Sequence, residues 1–131
     1  MNVTGGCLCG GISYEIKGQP RDVVNCHCGQ CRKTHGHYAA YTSVAEQDLV
    51  FKSDATLCWY DSTPGVAKRG FCGECGASLF WKPMQEPRVS VTAGSMDAPT
   101  GLSTIKHIFV EDASDYYELT DDLEKLSGTM G

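Results

Sequence analysis

The apolar and polar positions along the chain alternate in short runs, the pattern of strands. In Ile12–Ile16 the apolar residues Ile12, Tyr14 and Ile16 share one side, with Ser13 and Glu15 on the other, which is the period-two signature of a half-buried strand. Val23 and Val24 lead a second short strand into a dense cysteine motif. Residues 38–44, 48–52, 56–60, 69–71, 78–81, 88–92 and 105–110 read as further strands, and Pro83 stops the one at 78–81. Helical signals are confined to residues 30–35, one or two turns ending at Gly36, and to residues 121–126, a final turn. Residues 18–20 form a turn, 61–65 a loop and 93–101 a turn-rich connection. Residues 1–11 hold Gly5, Gly6, Gly10 and Gly11, which predict a tight turn with positive φ in place of a regular strand. The whole predicts a mainly β, mainly antiparallel fold with few short helices, in one domain spanning residues 1–131.

A β fold of this length has a thin core, and composition shows what supplements it. Cysteine is the outlying count, 8 of 131 residues. Disulfides, redox chemistry and metal binding compete to explain that number. The N-terminal MNVTGGCLCG has neither a basic n-region nor an apolar run, and no apolar stretch approaches the roughly 18 residues of a membrane span. The expectation is a cytoplasmic protein with reduced thiols and no membrane partner, in which metal is the leading explanation. The net charge of -5 disfavours nonspecific nucleic-acid binding, so no nucleic-acid partner is expected. The late acidic run Glu111, Asp112, Asp115, Glu118, Asp121, Asp122 and Glu124 reads as a solvated face.

Spacing divides the cysteines. Cys72 and Cys75 are a C-x2-C pair, whose tight turn brings two sulfurs to the separation a tetrahedral ion requires, with Gly73 and Gly76 easing the bend. Cys7 and Cys9 are a C-x-C pair. On a straight strand their side chains stand roughly 6–7 Å apart, so the chain must bend there to share an ion. Together the pairs form a reasonable closed, structural zinc site. Cys26, Cys28 and Cys31, in CHCGQC, are left as three local ligands, and a three-ligand site keeps a position open for chemistry. His27, His35, His37 and Cys58 are the candidates to close it. His27, between two ligands, is placed to point away. Cys58, within LCWY, reads as a buried, inert thiol. Redox use of the C-x-x-C pairs is disfavoured, because neither opens a helix after a βαβ pattern.

With those residues in view, the chain resembles the glutathione-dependent formaldehyde-activating enzyme family, also called centromere protein V-like. Three blocks carry the resemblance: GGCLCGGISYEIKG at 5–18, CHCGQCRKTHG at 26–36 and FCGECGASLFW at 71–81, with a weaker match at KHIFV and DDLEKL. The resemblance implies a β-tent fold with two zinc ions: a structural one on Cys7, Cys9, Cys72 and Cys75, and a catalytic one on Cys26, Cys28 and Cys31. It also implies a small thiol such as glutathione as partner. The chain departs from the family at Gly29, where a small hydroxyl residue is frequent, and at Tyr116-Tyr117, where a tryptophan is common.

The activity implied is a carbon–sulfur lyase reaction, the reversible addition of a thiol to formaldehyde or another small carbonyl. Three thiolates leave a zinc dication at net -1, which favours thiol activation over carbonyl polarisation. Arg32, Lys33 and Arg69 are candidate cations for the substrate's carboxylates, and His35 or His37 a candidate proton relay. The rival class is a non-catalytic, zinc-stabilised β module that binds a protein partner. Occupation of the fourth position separates the two.

Overall fold

The computed structural model describes residues 2–128. Residue 1 and residues 129–131 of the span read as one domain lie outside the described residues. Among the described residues there are eleven strands and one α-helix: β1 (Val3–Gly6), β2 (Ile12–Ile16), β3 (Val23–Cys26), α1 (Gly29–His35), β4 (Ala39–Ala45), β5 (Leu49–Asp54), β6 (Leu57–Thr63), β7 (Ala67–Cys72), β8 (Ser78–Pro83), β9 (Arg88–Thr92), β10 (Thr104–Ile108) and β11 (Glu124–Lys125). No helix among them is long and apolar enough to cross a membrane.

The strands form two sheets, β1-β2-β5 and β11-β10-β3-β4-β9-β8-β7-β6. Alternation decides which side of the large sheet is covered. In β9, Val89 and Val91 turn to the main core while Ser90 and Arg88 line the other face. The core joins the two sheets: Ile12, Tyr14 and Ile16 of β2 pack with Val44, Leu79, Phe80, Val89 and Val91. Tyr14 and Phe51 each meet Phe80 edge-on, at 5.8 and 5.5 Å. Burying each such side chain contributes about 1.5–3 kcal/mol. The opposite face carries a smaller cluster of Cys26, Cys31, Ala39 and Tyr41, covered by Trp81, Ile108 and Phe109.

Local pattern and structure differ at five places. Residues 3–6 form a regular strand, pairing Val3 with Ile16. Gly5 is there for close approach, since a Cβ on it would sit 2.4 Å from Ser95 O and from the Tyr14 hydroxyl. Among the four early glycines only Gly10, at φ +86°, takes the left-handed conformation. The loop expected at 61–65 shrinks, because β6 continues through Thr63 against β7. Cys58 is exposed rather than buried: β6 is the outermost strand, and Cys58, Trp59 and Tyr60 face solvent. The final turn at 121–126 is not helical; parallel pairing with β10 captures β11 as a strand. The sheets are mainly antiparallel, as expected, and β10 is the exception, lying parallel to β3. That pairing places Ile108 beside Cys26, and Phe109, at φ +55°, turns the chain off the sheet over the cysteine face.

Candidate metal centres and an arginine-lined cavity

Two groups of thiols converge. In the first, the sulfurs of Cys7, Cys9, Cys72 and Cys75 all lie within 4.8 Å of one another. Cys9 Sγ is 3.7 Å from Cys7 Sγ and 3.6 Å from Cys72 Sγ. Sulfurs bound tetrahedrally at about 2.3 Å stand about 3.8 Å apart, so the donor set fits zinc. The bend that the C-x-C spacing demands occurs between β1 and β2. There the Cys7 N–H donates to Ile12 O at 3.0 Å and the Ile12 N–H returns to Cys7 Sγ at 3.2 Å. Cys72, fully buried, accepts from the N–H groups of Glu74 and Cys75 at 3.4 and 3.3 Å, with the Thr56 hydroxyl 3.1 Å away. Those donors, the Cys75 N–H foremost, pull its thiol down to about 6.

In the second group Cys26, Cys28 and Cys31 bring three sulfurs within 4.8 Å. Cys26 ends β3. Cys28 caps α1, its sulfur accepting the Cys31 N–H at 3.3 Å. Gly36, at φ +79°, ends the helix as expected. Hydrogen bonds from Cys26 and then Cys31 pull the Cys28 thiol down to about 2, while the bonds of Cys26 with Cys28 and Cys31, and then burial, push Cys26 up. Of the three sulfurs, that of Cys28 also accepts a helix N–H, from Cys31.

None of the candidates to close the trio joins it. His27, fully buried, bonds Tyr117 through Nδ1 and His107 Nδ1 through Nε2 at 2.9 Å, and His107 Nε2 reaches Asp121 Oδ2 at 2.9 Å. The Asp121 carboxylate accepts from His107, which accepts from His27, which accepts from the Tyr117 hydroxyl. Burial, followed by His107 and His37, holds His27 down to about 4. Asp121 therefore serves a buried histidine pair from within an otherwise solvated acidic run. His35 Nε2 pairs with the Tyr41 hydroxyl at 2.8 Å, and His37 pairs with Tyr116. Cys58 stands on the sheet edge, against Gly73. Among the described residues the second group keeps three ligands.

That group opens on a cavity of about 260 Å³ whose wall holds Arg21, Arg69 and Arg88 and no carboxylate. Arg69 is 6% exposed. It donates Nε and Nη2 to Gln30 Oε1 at 3.0 and 2.8 Å, Nη1 to Tyr41 Oη at 3.0 Å, and Nη2 to Cys31 Sγ at 3.6 Å. No ion pair among the described residues includes it, so its counter-charge is the sulfur trio. A buried guanidinium needs such a partner. Arg32 reaches Asp112 O at 3.0 Å, and neither it nor Lys33 lines the cavity. Arg21, Arg88, Tyr41 and Trp81 were not singled out from sequence. The available signal was an arginine and a serine alternating with two valines in β9.

Comparison with known proteins places these features. The family model for the glutathione-dependent formaldehyde-activating enzyme matches residues 2–112. The fold is shared with the crystal structure of a Rhodobacter sphaeroides protein, at a TM-score of 0.61 and 23% identity, over 77% of this chain and 98% of that one.

Proposed function

Because this chain belongs to the glutathione-dependent formaldehyde-activating enzyme family, we propose that it activates a small thiol, glutathione or a relative, for reversible addition to formaldehyde or another small carbonyl. Forward, the thiol sulfur forms a bond to carbon, the carbonyl π bond breaks, and the thiol's proton ends on the new hydroxyl. The reverse step makes the protein a carbon–sulfur lyase, acting in the cytoplasm. Cys7, Cys9, Cys72 and Cys75 would hold a structural zinc ion. Cys26, Cys28 and Cys31 would hold a second, catalytic one, whose chemistry is to lower the pKa of a thiol or water that joins it.

The single observation that carries this reading is the three-thiol group facing an arginine-lined cavity while His27, His35 and His37 are each engaged elsewhere and Cys58 stands exposed on the sheet edge. A non-catalytic zinc module calls for a fourth protein ligand, and none of these supplies it. The chain's own residues divide the remaining work. Arg69 offsets the charge of the trio and ties it to Tyr41 and to Gln30 of α1. Tyr41 accepts from Arg69 and donates to His35 Nε2, so its hydroxyl has one orientation in the cavity wall. His35 stays a neutral acceptor at pH 7, since burial and then Arg69 lower it to about 4. Trp81, Ile108 and Phe109 keep water from the sulfur face.

The test is a cobalt-loaded protein titrated with glutathione, followed by turnover of glutathione with formaldehyde. Thiol ligation should change the sulfur-to-cobalt absorption, and adduct should form faster than in buffer. A spectrum indifferent to every thiol would sink the mechanism.

A further inference from the structure

The cysteine trio spans a joint between two elements. Cys26 ends β3, Cys28 caps α1, and α1 has 7 residues, too few to stand as a helix without outside support. His27 is the joint. Its backbone N–H donates to Ile108 O at 3.0 Å. Its fully buried ring lies among Tyr38, His107 and Tyr117, with ring centres 4.9, 5.0 and 5.5 Å away. A buried imidazole is a firm anchor when both of its nitrogens are bonded.

Those bonds trace to residues 113–128, beyond the span 2–112 that the family model matches. Tyr117 bonds His27 Nδ1 directly. Asp121 Oδ2 accepts from His107 Nε2 at 2.9 Å, which leaves His107 Nδ1 to accept from His27 Nε2 at 2.9 Å. A carboxylate can only accept, so Asp121 sets the direction of the line and with it the tautomer of each ring. The segment is itself tied to β10 and the turn after it. The Leu126 N–H donates to His107 O at 2.9 Å, the Val110 N–H to Leu126 O at 3.1 Å and the Phe109 N–H to Gly128 O at 3.0 Å. The Leu123 N–H and Lys125 Nζ hold Asp121 Oδ1 at 3.0 and 3.2 Å. Asp121 is exposed and His107 buried. An acidic, outwardly solvated segment thus reaches inward at two points, and both lines end on the residue between Cys26 and Cys28.

We propose that residues 113–128 are a strap that positions the cysteine trio for its ion, with Tyr117 and Asp121 as positioning residues that act through His27. The inference rests on the trio holding the second zinc ion and adds what keeps that ion in place. Fixing the His27 ring fixes the backbone between two of the three sulfurs, so their separation is set before the ion arrives. Releasing the ring leaves every ligand present and removes the preorganisation.

The experiment is a chelator competition on the zinc-loaded chain that resolves its two affinities, run beside thermal unfolding. Cys28→Ser identifies the four-sulfur ion, the one it retains. Tyr117→Phe and Asp121→Ala should each weaken the second ion by about tenfold, while the four-sulfur ion keeps its wild-type affinity and the chain its cooperative unfolding. Asp121→Asn, which keeps an acceptor oxygen for His107, should recover most of the loss. Tyr116→Phe, which alters the partner of His37 instead, should match the wild type. Two ions held with wild-type affinity in both strap variants, or an equal loss at both ions, overturns the strap alone. A wild type that binds a single ion overturns the second-ion reading and the strap with it.

Discussion

Replacing Cys72 and replacing Cys28 by serine should have unequal consequences, and the structure sets the scale. Cys72 is fully buried in the main core and its sulfur meets that of Cys9 across 63 residues of chain. Cys28 and Cys31 are 3 residues apart. Closing the longer loop costs the unfolded chain about 2–3 kcal/mol more, by the three-halves RT ln n scaling. The four-sulfur group therefore organises far more of the chain. Zinc bound in such a site contributes about 10–16 kcal/mol of folding free energy, against a whole-domain stability of about 5–15 kcal/mol. Cys72→Ser removes a ligand from that balance and should abolish cooperative folding. Cys28→Ser breaks only a local group, and serine can still cap α1. The assay is urea denaturation followed by near-ultraviolet circular dichroism, with zinc counted on the same samples. The wild type should carry about two zinc ions per chain. The Cys28 variant should unfold cooperatively with about one. Equal unfolding by both variants, or a Cys72 variant with an intact transition and full zinc, would refute the division of roles.

Two further outcomes follow from particular contacts. His35 is lowered to about 4 from an ordinary 6.5, so the unfolded chain binds more protons between those values and stability is lost as pH falls through them. In His35→Asn the fall in unfolding free energy between pH 6.5 and 4, from urea melts, should be shallower, by at most about 1.4 kcal/mol per pH unit; parallel profiles would count against a buried neutral His35. Gly5→Ala should destabilise the protein by about 1–3 kcal/mol, because the added methyl meets Ser95 O and the Tyr14 hydroxyl at 2.4 Å; an unchanged thermal midpoint would show that β1 gives way freely.

The local chemistry of the chain was largely legible. The alternation of residues 12–16 became β2 with all three apolar side chains buried, and CHCGQC became a strand end and a thiol-capped helix. Both are short-range effects, decided by side-chain parity and backbone hydrogen bonds within a few residues. What escaped depends on partners far away in sequence. Cys58 sits in an aromatic run, but whether such a run is buried depends on its place in the sheet, and β6 is at the edge. Residues 121–126 have helical composition, yet the backbone of Leu126 bonds His107 and Asp121 is drawn to the same histidine. Arg88 looks like an ordinary surface charge until Ser43, Trp81 and Arg21 are assembled around it.

The parallel seating of β10 against β3 has a consequence for biosynthesis. The groups that cover the cysteine trio, Ile108 and Phe109, and the histidine that braces His27 from 80 residues downstream, are among the later parts of the chain to be made. At about 5–20 residues per second, some 4–16 s separate the emergence of CHCGQC from that of its cover. Throughout that interval three adjacent thiols travel on a nascent chain with no strand above them. The redox state and metal supply met at the ribosome therefore bear on which chains mature with the site intact.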